Sequence, residues 1–217
     1  MKVDVQEQVL SENDRQALAN AERLRRERLV CVNVLASPGA GKTSLLVHLL
    51  RGLPAESARF VIEGDVASAL DTDRLRGLGY AAWQINTDGG CHLDAAMVAG
   101  ALDALKVRGP GFVFIENIGN LICPVSYRLG EGLRLVVANV TEGDDKPVKY
   151  PAVFASADAI VLNKADLLPH VEFRMDFFLK GVAAVNSKAP VLKVSCRTGD
   201  GIGPVVDWLL RAAAAPR

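Results

Sequence analysis

Ala36-Ser37-Pro38-Gly39-Ala40-Gly41-Lys42-Thr43 follows the apolar run Val30-Cys31-Val32-Asn33-Val34-Leu35 and leads into Leu45, Leu46 and Leu49 at helical spacing. A strand, a loop of small residues and a helix in that order make a phosphate-binding loop. Loop amides and the helix N-terminus face the phosphates, Lys42 reaches the β and γ groups, and Thr43 offers its hydroxyl to Mg²⁺. Ser37, Pro38, Gly39, Ala40, Gly41 and Ser44 complete the cradle. Ala36 stands where the general pattern has glycine, so the loop entry requires a backbone conformation open to a Cβ.

Outward from this loop, short strand-like runs at residues 29–35, 59–62, 81–85, 112–115, 133–140, 158–162 and 190–194 alternate with helical patterns near 42–51, 67–77, 93–106, 170–180 and 202–213. The alternation predicts an α/β fold of the P-loop NTPase kind, a mainly parallel seven-stranded sheet flanked by helices. Residues 11–28 read as a further helix, with Ser11 as N-cap and Leu18, Ala21 and Leu24 as its apolar spacing. Its interleaved arginines and glutamates read as a solvated face. The expected organisation is an N-terminal helical arm over 1–28 and a P-loop domain over 29–217.

With 217 residues, half of them hydrophobic, the chain has apolar surface enough for a packed core. Lys and Arg number 25 against 25 Asp and Glu, so no overall field holds a polyanion, and nucleic acid is not an expected partner. The first residues are charged where a secretory signal needs an apolar run, and the apolar stretches fall far short of the roughly 20 residues that span a bilayer. Neither export nor a membrane is expected. Four scattered cysteines, Cys31, Cys91, Cys123 and Cys196, make no dense disulfide framework, and a reducing cytoplasm is the expected compartment.

A P-loop needs an acid on its metal side. Phe112-Val113-Phe114-Ile115 ends in Glu116-Asn117-Ile118-Gly119, placing a carboxylate at a strand tip for the Mg²⁺ shell and a glycine amide for the γ-phosphate. Val61-Ile62-Glu63-Gly64-Asp65 ends similarly, and Asp65 or Asp71 is a candidate to orient metal or water. Asn163-Lys164-Ala165-Asp166 follows an apolar run as NKxD: Asn163 bonds the base edge and adjoining backbone, Lys164 lies over the ring, and Asp166 accepts from the ring N–H and exocyclic amine of guanine. Adenine has no such donor pair, so selection against ATP of roughly 10⁴-fold follows from leaving a buried carboxylate unpaired. Ser195, Cys196 and Arg197 follow the next strand and close over the base through backbone amides.

Cys91-His92 and Cys123-Pro124 supply thiolate and imidazole, the ligand types of zinc and nickel. Cys123 lies four residues past Gly119, so a segment that responds to the γ-phosphate carries a candidate ligand. Three ligands leave a tetrahedral ion incomplete, which calls for a water or a two-fold dimer that pools ligands. Cys31 and Cys196 are expected to pack structurally.

Together these motifs resemble the HypB family of hydrogenase-maturation nickel-incorporation GTPases. The likeness runs from about Val30 to the C-terminus. It rests on residues 37–43, 61–65, 86–93, 116–124 (ENIGNLICP), 140–151 (VTEGDDKPVKYP) and 163–167. Urease-accessory GTPases share the nucleotide site but carry Cys-Pro-His, and here Cys123-Pro124 precedes Val125. The resemblance implies a slow GTPase that cycles between GTP and GDP with Mg²⁺ and forms a nucleotide-dependent homodimer. It also implies a HypA-type nickel chaperone as partner and the large subunit of NiFe hydrogenase as client. Cys91, His92 and Cys123 correspond to the family's interfacial Ni²⁺ or Zn²⁺ site, and Lys149 to a residue that contacts nucleotide across the dimer. Many relatives carry an N-terminal cysteine cluster or histidine-rich tract; residues 1–28 contain neither Cys nor His, so the resemblance does not extend to nickel storage. On the residues alone, two rival classes remain: a non-catalytic metal carrier with structural nucleotide, excluded by multiple-turnover phosphate release, and an ATP-dependent small-molecule kinase, favoured if ATP outcompetes GTP.

Overall fold

The computed structural model describes residues 5–65 and 70–215, with side chains from residue 9. Residues 1–4 of the expected arm, residues 67–69 of the expected second helix of the domain and the last two residues lie outside the described residues. The strands are β1 (Leu29–Ala36), β2 (Ala58–Asp65), β3 (Ala81–Asn86), β4 (Gly111–Glu116), β5 (Leu133–Asn139), β6 (Ala159–Asn163) and β7 (Val191–Lys193). They form one sheet in the order β3-β2-β4-β1-β5-β6-β7. The α-helices are α1 (Val5–Arg26), α2 (Lys42–Gly52), α3 (Leu70–Gly77), α4 (Ala95–Leu105), α5 (Lys146–Lys149), α6 (Pro151–Ala155), α7 (Met175–Val185) and α8 (Ile202–Ala214). The sheet is parallel, as the alternation of runs predicts, with registers such as Glu63 beside Glu116 and Val161 beside Leu192. Among the described residues no helix is long and apolar enough to cross a membrane.

The chain divides into two compact units, Met1–Asn33 with Ser57–Leu133, and Val34–Glu56 with Arg134–Arg217. In the first, Ile62, Leu93, Val98, Leu102, Val113 and Ile115 form a core that Leu24 of α1 and Cys31 of β1 join. The buried face of α1 is Asn13, Ala17, Asn20 and Leu24, whereas Leu18 is 69% exposed. The expected apolar spacing is therefore displaced around the helix, because two asparagines take core-facing positions. Ser11 is not a cap either: it lies within the helix Val5–Arg26. A Cβ at Gly64 would sit 2.8 Å from Leu93, so the fully buried leucine would have to shift to admit one.

In the second unit, Leu45, Leu46, Leu49 and Leu50 of α2 are fully buried, as are Val205 and Leu209 of α8. A Cβ at Gly52 would meet Val206, so that glycine sets how closely the two helices pack. Phe154 of α6 meets Phe178 of α7 edge to face with ring centroids 6.1 Å apart. Sequence periodicity misses α5 and α6, each a single turn opened by a proline, and also the 3₁₀ turns Val140–Glu142 and Ala165–His170. Helix α7 starts at Met175 rather than 170, since residues 165–170 are spent on the 3₁₀ turn that carries Asp166.

Candidate functional site

The phosphate loop leaves β1 at Ala36, which is fully buried and is the last residue of the strand. Its φ is not among the positive ones, so the extended backbone accommodates the Cβ that the pattern's glycine lacks. Gly39 (φ +73°) and Gly41 (φ +94°) then turn the chain, and Gly41 opens α2 with no side-chain cap on the helix amides. Uncapped amides at a helix N-terminus are anion receptors. Lys42 and Thr43 occupy the first turn, Thr43 buried at 9% exposure.

Asn163, at the end of β6, joins this loop to the loop after β7. Its Nδ2 donates to Ala40 O at 2.9 Å, and its Oδ1 accepts from Lys164 N at 2.7 Å and Cys196 N at 3.2 Å. The NKxD pattern offers Asn163 to both base edge and backbone; the amide is engaged by backbone at all three of these contacts. Lys164 adopts a left-handed conformation (φ 58°), the geometry that starts the 3₁₀ turn and places Asp166. Asp166 Oδ1 accepts from the Ser195 hydroxyl at 2.6 Å, while Arg197 stands 3.8 Å from Oδ2 with its side chain 82% exposed. Ser195 Oγ in turn accepts from Thr198 N at 3.2 Å, so the carboxylate is oriented by a buried hydroxyl that the loop itself holds. His48 of α2, which sequence reasoning missed, holds the Cys196 carbonyl through Nε2 at 2.9 Å.

Gly41, Ser44, Asn163, Lys164, Asp166, Leu167, Cys196 and Arg197 line a cavity of about 320 Å³. That volume lies in the range of small-molecule sites, and its wall combines one carboxylate, two cations and an apolar floor. Burial pushes the Cys196 thiol up to about 11, so at neutral pH it meets a ligand as a protonated, weakly polar group. Lys149, by contrast, is an exposed residue of α5 whose Nζ lies 2.6 Å from Asp145, which raises its pKa.

In the first unit, β2 ends at Asp65 and β4 at Glu116, the latter only 5% exposed. Glu63, in register with Glu116, accepts from the buried Thr72 hydroxyl. Asn117 Oδ1 accepts from Ile118 N at 2.9 Å, and its Nδ2 donates to Asn33 at 3.2 Å. Asn33 donates on to Glu131, which accepts from Leu129 N at 2.7 Å. Asn33 was legible as a lone polar residue in an apolar strand; that it steadies the segment leading to Gly119 was not.

Cys91 and Cys123 are brought together. The hydrogen bond between their thiols, helped by slight burial, holds Cys91 protonated above the ordinary thiol range. Cys91 Sγ is 3.5 Å from His92 Nδ1, and the His92 ring stacks on Tyr127 at 3.8 Å between centroids. Asn120 Nδ2 donates to Cys91 O at 3.3 Å, tying the two segments directly. Among the described residues no three His, Cys, Asp or Glu side chains close into a metal cage. What the fold presents is two thiols with an imidazole beside Cys91, donor types that suit a soft or borderline ion.

Fold and loops define a P-loop nucleotide-binding protein with a cavity beside the loop whose wall carries the Asp166 carboxylate. The family described as CobW/HypB/UreG, nucleotide-binding domain, matches residues 30–193. The hydrogenase maturation factor HypB of Rhizobium leguminosarum bv. viciae is 45% identical over 212 residues, covering 98% of this chain and 71% of the relative. The hydrogenase/urease maturation factor HypB of Helicobacter pylori is 39% identical, covering 96% of this chain and 87% of the relative. The crystal structure of HypB from Helicobacter pylori in complex with nickel superposes with a TM-score of 0.89 at 37% identity, covering 93% of this chain and 95% of that one. This chain belongs to the HypB family of hydrogenase maturation factors.

Proposed function

We propose that this chain is a GTP-hydrolysing metallochaperone that assists nickel insertion into the large subunit of NiFe hydrogenase. One observation carries the reading: a single chain holds both the Asp166 pocket and the adjoining thiols of Cys91 and Cys123. The nickel complex of the similar Helicobacter pylori protein supports nickel as the cargo. Asp166 selects guanine, Lys164 covers the ring, the backbone of Ser195, Cys196 and Arg197 closes on it, and the amides of residues 37–44 with Lys42 hold the phosphates. By the sequence pattern, Thr43, Asp65 and Glu116 are the oxygen donors for Mg²⁺, and hard oxygen donors suit that ion. Bound there, Mg²⁺ would neutralise phosphate charge.

Cys91, His92 and Cys123 take the nickel, or zinc in its place, and a second copy or a water completes the shell. Gly119 senses the γ-phosphate four residues before Cys123, so GTP and GDP forms hold metal differently. GTP favours the homodimer, with Lys149 reaching the partner's nucleotide, and a HypA-type chaperone exchanges nickel with it. The chain works in the cytoplasm. Urease is the second client class, favoured by the Helicobacter pylori relative being named for both enzymes.

The test is nickel titration of wild type and of Cys91→Ala, Cys123→Ala in the GDP form and with a non-hydrolysable GTP analogue, alongside phosphate release from GTP and ATP. Expected are multiple turnovers with GTP only, nickel affinity that differs between nucleotide states, and its loss in the double variant. Equal nickel affinity in both states would defeat the coupling, and absent turnover would leave a non-catalytic carrier.

A further inference from the structure

Asn13 and Asn20 of α1 are 7% and 2% exposed and lie two helical turns apart on the face that carries Ala17 and Leu24. Asparagine is a poor helix-interior residue, and a buried amide without partners is costly, so packing alone does not account for either. Both find partners in the same two segments. Asn13 Oδ1 accepts from Ala95 N at 2.9 Å while its Nδ2 donates to Arg128 O at 2.9 Å. Asn20 Nδ2 donates to Ala95 O at 2.8 Å and to Leu129 O at 3.0 Å.

Ala95 opens α4 just after Cys91 and His92, and Arg128 adjoins Tyr127, on which His92 stacks, just after Cys123. Close approach is enforced at Gly130 (φ +97°), where a Cβ would lie 2.6 Å from Asn20 Cβ and 2.8 Å from Ala17 O. Helix α1 precedes the family match, which begins at residue 30. We propose that α1 is a brace that sets the separation of the two thiol-bearing segments, with Asn13 and Asn20 as positioning residues for nickel. The brace rests on the reading of Cys91, His92 and Cys123 as the metal ligands. It requires no ligand from α1, only that its two amides fix the stems from which the ligands project.

The full chain is compared with Asn13→Leu/Asn20→Leu, Asn13→Asp and Leu24→Ala. Two readouts are taken: nickel(II) titration followed by thiolate-to-nickel charge-transfer absorption, and, without metal, the rate at which a bifunctional thiol reagent bridges Cys91 and Cys123. The double leucine variant is expected to lose about tenfold or more in nickel affinity, the scale of removing groups that orient metal ligands, with an altered absorption band and slower bridging. Asn13→Asp keeps an acceptor for Ala95 N but loses the donor to Arg128 O, and falls between. Leu24→Ala loosens α1 without touching these bonds, lowering Tm but leaving nickel affinity and bridging as in wild type. Wild-type affinity and bridging in the folded leucine variant, or an equal loss in Leu24→Ala at matched Tm, overturns the brace. Should the leucine variant not fold, Asn13→Asp against Leu24→Ala decides. Unchanged nickel affinity in Cys91→Ala, Cys123→Ala removes the ligand reading instead, and the bridging rates still decide on the brace.

Discussion

Gly41 combines a left-handed backbone, φ +94°, with a neighbour that leaves no room for a methyl group, the Asn163 side-chain nitrogen. Gly41→Ala therefore both strains the loop and displaces the amide that ties it to the base side. GDP and GTP affinity are expected to fall at least about tenfold, the consequence of roughly 1–2 kcal/mol of left-handed strain before any clash is counted. Fluorescent-nucleotide titration checks this, and wild-type affinity would show that the loop does not need this geometry to hold phosphate. The glycine's necessity was legible in the motif. The identity of its neighbour was not, since residue 163 reaches it only through the packing of β6.

At the scale of elements, an ion pair joins the segment between β5 and β6 to the start of α7, beside the packing of Phe154 on Phe178. Arg174 Nε and Nη2 reach the two Asp144 oxygens at 2.9 and 3.1 Å, and Arg174 N donates to Asp144 Oδ2 at 2.8 Å. These bonds lower the Asp144 pKa from 3.8 to about 2. A depressed carboxylate adds stability that is present above its unfolded value and lost as pH falls through the folded one. Urea midpoints should thus decline between about pH 4 and pH 2, and Arg174→Gln should lower the neutral-pH midpoint and flatten that decline. An undiminished slope in Arg174→Gln would place the acid sensitivity elsewhere. The motif around Asp144 was readable, but its partner 30 residues on was not, because α5, α6 and the 3₁₀ turn Ala165–His170 that intervene are too short to show periodicity.

For the molecule as a whole, the proposed function places oxygen-ligated Mg²⁺ at the phosphates and nickel at sulfur and imidazole, two ions separated by donor hardness. Chelation of divalent ions with EDTA is expected to bring GTP turnover to background, with Mg²⁺ restoring it and Ni²⁺ not; phosphate release measures both. Full restoration by nickel would dissolve the division of labour between Thr43, Asp65 and Glu116 on one side and Cys91, His92 and Cys123 on the other.

Taken alone, the amino-acid order determined the sheet's strands and marked the loop at Ser37–Thr43, the NKxD turn at Asn163–Asp166 and the candidate thiols, because local spacing records which faces meet water and which loops bend. Only tertiary structure decided that Asn13 would meet Arg128, 115 residues away, that α1 buries its asparagines and exposes Leu18, and that Cys91 lies against Cys123. Hydrogen bonds across such separations leave no periodic trace in the chain. They exist because close packing of distant segments leaves each buried amide one place to find its partners.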